Sequence, residues 1–373
     1  MKTVLNVYAG PRAMQMLKVY GFNPDLFHTV LGASGGPKWF VLAGIDRVLI
    51  SEFFRDRQQP LNMVGSSAGA FRFACLTQPD PVSAINRLAK EYSETVYSDK
   101  PTIDEISDKA VALLENMLPR ENRQHVVDNP IFVAHLIAAR CRGLLAPERK
   151  SIQYPGLLVS AVANGLSRRY LDKFYERFVF SGNQQPLSFE DPAGLHTQHV
   201  KLTENNIIDA LLASGAIPGV LRGIPDIEGA GKGMFRDGGV TDYHFDLQFK
   251  STARPDEQNT AAHQQVNNDL VLFPHFFAVP KPGWFDKSLP WRHPHRSSYD
   301  NVVMVVPSDE FVASLPFGKI PDRHDFTKIP VNERLQYWKT VLSETDRLGE
   351  AFMALQNPAQ LQSVLQPLPF KLS

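Results

Sequence analysis

Between Phe27 and Leu76 the chain repeats one pattern twice: a short apolar run, a turn of glycine and small residues, then an apolar segment with helical character. Phe27–Gly32 reads as a strand that runs into Ser34-Gly35-Gly36-Pro37-Lys38. Lys38–Arg57 reads as a helix, apolar nearly all round through Trp39, Phe40, Val41, Leu42, Ile45 and Leu49, and so buried on most sides. Leu61–Gly65 reads as the next strand, Gly65–Gly69 as a tight turn, and Ala70–Leu76 as the start of a second helix. Strand, helix, strand, helix with short connections is the βαβ pattern. It restricts the chain to an α/β fold with a central, mostly parallel sheet flanked by helices.

Thr3–Tyr8 is a short strand, and Asp80-Pro81 caps a helix through about Tyr92. Further helices fit Ile103–Leu118 and Ile131–Gly143. Strand character returns over Leu157–Ala163 and Arg169–Phe180, and a helix fits Glu204–Ser214. A short strand, Met234–Arg236, ends at Asp237-Gly238-Gly239. Residues 250–268 are polar and rich in Gln and Asn, the composition of a flexible loop. Strands over Leu270–Val279 and Val302–Val306 and a helix over Asn332–Leu355 complete the reading. With no repeat and no clean linker, one domain over residues 1–373 is expected.

Composition narrows the function classes. Lys plus Arg and Asp plus Glu number 39 each, so the formal net charge is zero. A general nucleic-acid binder would need a basic surplus. The two cysteines, Cys75 and Cys141, stand in apolar surroundings and can form neither a disulfide scaffold nor a cysteine zinc cage. The first apolar stretch is too short for a signal-peptide core, and no run of about 18 apolar residues exists. A soluble, cytoplasmic protein is the expectation.

Three motifs carry chemistry. Gly65-Ser66-Ser67-Ala68-Gly69 is G-x-S-x-G between a strand and a helix, with Ser67 in the middle. The spacing sets that serine on a strained turn with its hydroxyl projecting, and Gly65 and Gly69 let the strand and helix backbones approach. The N-terminus of the following helix favours negative charge there. In the second motif the consecutive Gly35 and Gly36 can aim backbone N–H groups into a concavity, as an oxyanion hole requires. It is neither a Walker A loop nor G-x-G-x-x-G. Lys38 is the candidate contact for an anionic head group. In the third motif, Asp237-Gly238-Gly239, two glycines let a carboxylate approach another backbone closely.

Taken in chain order, these sites resemble the patatin-like phospholipase family. Its pattern is a Gly-rich oxyanion loop, a G-x-S-x-G serine about 30 residues on, and a D-G-[GA] aspartate much later. Here Gly35 and Ser67 are 32 positions apart and Asp237 follows 170 after Ser67. Ala213-Ser214-Gly215-Ala216-Ile217-Pro218 matches the family's Ala-Ser-x-Ala-x-Pro stretch. The likeness covers about 27–245, leaving 246–373 as a C-terminal extension expected to pack on the hydrolase core. Ser34 and Trp39 stand where the family commonly has the first and last loop glycines, and Val240-Thr241-Asp242-Tyr243 replaces its Asn-x-Pro.

The resemblance implies a three-layer fold and a lipid acyl hydrolase of the phospholipase A or lysophospholipase kind, with no cofactor and no metal. In that scheme Ser67 attacks an ester, Asp237 takes its proton, and Gly35 and Gly36 hold the oxyanion. A free carboxylate is a weak base toward a hydroxyl, so burial must raise Asp237 or the oxyanion hole must carry much of the catalysis.

A Ser-Asp-His hydrolase is the alternative, with His244, His263, His275, His293, His295 or His324 as the third member. A transacylase and a non-catalytic lipid-binding protein of the same fold are the others. Peripheral contact with membranes is expected from residues 279–296, whose four prolines argue for a loop. There Trp284, Phe285, Leu289 and Trp291 alternate with Lys281, Lys287, Arg292 and Arg296. The sequence leaves the head group, the acyl length and the oligomeric state open.

Overall fold

The computed structural model describes residues 3–183, 186–250 and 269–373. The 250–268 segment read as a flexible loop therefore lies, apart from residue 250, outside the described residues. Eleven strands form the main sheet. They are β1 (Leu5–Ala9), β2 (Phe27–Gly32), β3 (Leu61–Ser66), β4 (Phe132–Cys141), β5 (Tyr175–Ser181), β6 (Thr197–Lys201), β7 (Ile224–Pro225), β8 (Met234–Asp237), β9 (Leu270–Pro274), β10 (Val302–Pro307) and β11 (Leu365–Pro367). The order across the sheet is β11-β1-β10-β9-β2-β3-β4-β5-β6, and β8 pairs with both β4 and β7. The centre, β10-β9-β2-β3-β4, is parallel. β1 runs antiparallel to β10, and β5 antiparallel to β4.

The helices that position the site are α1 (Pro11–Tyr20), α2 (Ala43–Val48), α3 (Ala68–Leu76), α4 (Pro81–Ser93), α5 (Ile103–Met117), α6 (Arg120–Asp128), α7 (Lys150–Leu166), α8 (Ile207–Gly215), α9 (Val331–Glu344) and α10 (Asp346–Ala354). The first βαβ unit forms as read, but its helix is not uniform. It is tightened to a 3-10 helix over Gly36–Leu42, regular over Ala43–Val48, and widened to a π-helix over Leu49–Phe53. Its apolar side packs as expected: the rings of Phe53 and Phe352 meet edge to face with centroids 5.1 Å apart. A buried bidentate ion pair, Arg72 to Asp46 at 2.7 and 2.6 Å, ties α3 to α2.

Two elements are exchanged relative to the sequence reading. Residues 131–143, read as a helix, form the central strand β4. It is buried along nearly its whole length, so it shows no alternation of apolar and polar residues. Residues 157–163, read as a strand, lie in helix α7. The segment after residue 245 also departs from expectation. β9 and β10 lie inside the sheet between β1 and β2, and β11 closes its edge. The C-terminal part is woven into the core rather than laid on it, because β2 would otherwise present an unpaired edge. The helix read over Asn332–Leu355 breaks at Thr345, whose hydroxyl accepts from Arg47 at 3.1 Å.

Candidate active site

The sheet brings two strand ends together. β3 runs parallel to β4 and ends with Ser66 opposite Ile137. β8 runs antiparallel to β4 and ends with Asp237 opposite Ala138. The two strands thus meet end to end at one step of β4, and Ser67 and Asp237 face each other across the junction. The Ser67 hydroxyl donates to Asp237 Oδ2 at 3.0 Å. Parallel pairing of Gly32 with Gly65 places the loop after β2 beside the same junction. The site lies at the carboxyl ends of parallel strands, where α/β sheets hold their ligands.

Ser67 has φ 54° and ψ −122°, a backbone state that costs a non-glycine residue of order 1–3 kcal/mol. The turn is held in place. Ser67 N–H donates to Ser214 Oγ at 2.8 Å, and Ser214 Oγ donates to the Ile137 carbonyl at 2.6 Å. The elbow glycines are required by contact. A Cβ on Gly69 would stand 1.8 Å from the Gly32 carbonyl oxygen, and one on Gly65 would stand 2.6 Å from Ala70 N. α3 begins at Ala68, so its N-terminal dipole meets the serine directly.

Asp237 is buried. Its Oδ1 accepts from Gly239 N–H at 2.6 Å. Burial pushes its pKa up to about 6, against the opposing pull of the Gly239 N–H, Arg323, the Ser67 hydroxyl and Lys287. The segment after it is clamped by two buried arginines. Arg177 holds the Asp242 carboxylate at 2.7 and 2.9 Å, and Arg168 donates to the Thr241 carbonyl. Asp242, which stands in place of the Asn-x-Pro stretch, thereby fixes the loop.

Gly35 and Gly36 line one cavity with Ser67 and Asp237. Among the described residues neither donates its N–H to a backbone carbonyl. Gly36 has φ +56°, and a Cβ on Gly35 would stand 2.6 Å from the Phe276 ring. Both departures from the loop pattern have structural reasons. Ser34 Oγ donates to Ser66 Oγ at 3.0 Å and so ties the loop to the elbow. Trp39 is a fully buried core residue. Lys38 does not line the cavity. Its ammonium is half-buried, and burial lowers its pKa despite the nearby Asp322.

Arg323 and Tyr243, to which the sequence gave no role, line the cavity, and Arg323 lies far along the chain from any motif; Trp284, read as part of a membrane-contact loop, lines it too. Trp284 belongs to a 3-10 turn, Trp284–Ser288, rather than an open loop. Asp286 pins that turn to the end of α7 and the segment after it by accepting from Asn164 at 2.7 Å and Arg168 at 3.0 Å. The two tryptophans expected on one docking loop therefore part company: Trp284 faces the site and Trp291 is exposed. Only the concentration of aromatics in residues 279–296 signalled the first of these.

A second cavity of about 260 Å³ opens from the first and shares Gly36, Ser67, Ile217 and Arg323 with it. Its wall is apolar, from Phe71, Tyr92, Ile106, Leu113, Leu212 and Phe326 among others. It is bounded by α3, α4, α5 and α8; the sequence assigned no function to α4 and α5. The histidines considered for a triad are elsewhere. His244 accepts from Lys281 N–H at 2.8 Å and its ring stands 4.3 Å from that of His275. His295 and His324 are exposed. No described histidine bonds to Ser67 or Asp237; His263 lies outside the described residues. The chain matches no curated protein. A family model described as patatin-like phospholipase matches residues 33–244, more than half of the 373-residue chain.

Proposed function

The chain belongs to the patatin-like phospholipase family, a family of lipid acyl hydrolases, and we propose that it cleaves carboxylic esters of lipids through a Ser67–Asp237 dyad. The observation that carries this reading is the 3.0 Å hydrogen bond from Ser67 to a buried carboxylate at the mouth of an apolar cavity. Ser67 Oγ attacks the ester carbonyl carbon as its proton passes to Asp237 Oδ2. The carbonyl oxygen takes the negative charge and is held by the Gly35 and Gly36 N–H groups, with Arg323 nearby. Collapse breaks the ester C–O bond, and Asp237 returns the proton to the departing alcohol. Water then attacks the acyl-enzyme with Asp237 again as base, releasing the acid and restoring Ser67.

The acyl chain lies in the second cavity. Its apolar wall and its opening at Ser67 suit a hydrocarbon chain extending from the ester carbonyl. A fluorophosphonate probe should therefore label Ser67 and spare Ser34 and Ser66. Labelling at Ser66, or no labelling by a probe that reaches the cavity, overturns the reading.

The base also sets the pH dependence. Asp237 accepts a proton only as the carboxylate, and its pKa is raised to about 6. kcat/KM should rise about tenfold per pH unit below that value and level off above it. A profile already flat from pH about 4, the range of an ordinary carboxylate, would remove Asp237 from the role of base.

A further inference from the structure

Helix α7 is turned inside out relative to an ordinary surface helix. Its buried residues are Gln153, Gly156, Ser160 and Asn164, none of them a large apolar side chain. Their side chains bond inside the protein: the Asn164 amide donates to Asp286 at 2.7 Å, and Ser160 donates to the Leu157 carbonyl at 2.9 Å. The outer face carries Tyr154, Leu158, Val159, Val162 and Leu166. Leu158 is 67 % exposed, Val162 60 % and Leu166 78 %. Leu144 and Tyr170, on the turns to either side, extend the patch, and Trp291 stands at its end, where Arg292 donates to the Asn164 carbonyl. A contiguous apolar surface of this kind marks an interaction site.

The charges around the patch select the partner. Arg149, Lys150, Arg169 and Lys173 are exposed, and the two acidic residues beside them are engaged elsewhere, Glu148 with Arg236 and Asp172 with the His196 N–H. Two copies stacked on this face about a two-fold axis would oppose the same four cations. An anionic lipid surface would be attracted by them, and Tyr154, Tyr170 and Trp291 suit its boundary layer. Among the described residues no helix is long and apolar enough to cross a membrane. The face also borders the candidate active site. Tyr154 lies against Gly219, next to Val220, which is exposed and lines the apolar cavity. At the other end Asn164 and Arg168 hold the turn that carries Trp284.

We infer that the outer face of α7, with Trp291, docks on anionic lipid surfaces and so brings the acyl cavity to its substrate. The substrate half of this statement rests on the hydrolase reading; the docking half does not. The test is co-flotation of the full chain with phosphatidylcholine vesicles, with and without phosphatidylglycerol, against the double variant Leu158→Gln/Val162→Gln. The wild type and Ser67→Ala should both float with the anionic vesicles, and salt should weaken the binding. The double variant should lose at least tenfold in vesicle affinity and in hydrolysis of vesicle lipid. Its melting temperature should stay within about 2 °C of the wild type and its turnover of a soluble short-chain ester within about twofold, since both side chains are exposed. Failure of the wild type to float while it cleaves soluble esters overturns the docking and leaves the hydrolase reading standing. Vesicle binding with no esterase activity does the reverse. A wild-type dimer that the double variant dissociates, with vesicle binding unchanged, gives the face to a second copy instead.

Discussion

Ser67→Ala is expected to lower kcat on soluble esters by on the order of a million-fold, the scale seen when an activated serine nucleophile is removed. The Oγ is the atom that forms the acyl bond, and no neighbouring hydroxyl can take over. Ser66 is fully buried and accepts from Ser34. The fold should survive, since the turn is held through Ser67 N–H and Ser214 rather than through the lost hydroxyl. Ser67→Gly separates chemistry from strain. It should be equally inactive, yet more stable than Ser67→Ala by about 1 kcal/mol, because only glycine adopts φ 54° and ψ −122° without steric cost. Steady-state kinetics and urea unfolding of the two variants check both parts. An alanine variant that keeps a tenth of wild-type turnover would displace Ser67 from the mechanism.

Asp237→Asn should lower turnover by about 10³- to 10⁴-fold and raise stability. The amide keeps the shape, and its oxygen can still accept from Gly239 N–H, but it takes no proton from Ser67. The stability change follows from linkage. The carboxyl's pKa rises from 3.8 to about 6 on folding, so the folded state binds the proton more tightly than the unfolded chain. Its contribution is full below 3.8, is lost as pH rises to about 6, and at neutral pH amounts to about 3 kcal/mol of forgone stability at 1.36 kcal/mol per unit. The Asn variant carries no such term, so it should unfold at higher denaturant above pH about 7, and the difference should vanish near pH about 4. An Asn variant less stable than wild type at every pH contradicts a buried, strained carboxylate. A His→Ala change with an equal kinetic loss would instead indicate a triad.

These two residues were legible because the constraint on each is local. G-x-S-x-G specifies a turn through the sizes of adjacent residues, and the contacts of Gly65 and Gly69 bear that out. The same holds for Gly35, Gly36 and the two glycines after Asp237. What the motifs do not contain is the distance between them. Ser67 and Asp237 are 170 residues apart, and their meeting depends on β4, the very strand that the sequence presented as a helix. Phe132–Cys141 and Leu157–Ala163 are both short apolar runs, satisfied equally well as buried strand or as helix. One became the strand that aligns Ser67 with Asp237, because sheet neighbours on both sides pair with it. The other became an outward-facing helix because its polar residues, not its apolar ones, found partners inside.

By itself, then, the sequence determined the turns, their glycines and the choice of Ser67 and Asp237 as the candidate pair, all of which depend on steric limits reaching only a few residues along the chain. The tertiary structure alone decided which apolar runs are strands, that residues 270–307 enter the sheet, that Trp284 faces the site while Trp291 faces outward, and how basic Asp237 becomes. The last of these shows the reason most directly: desolvation of a carboxylate is set by every atom packed around it, and those atoms come from segments that only the completed fold brings together.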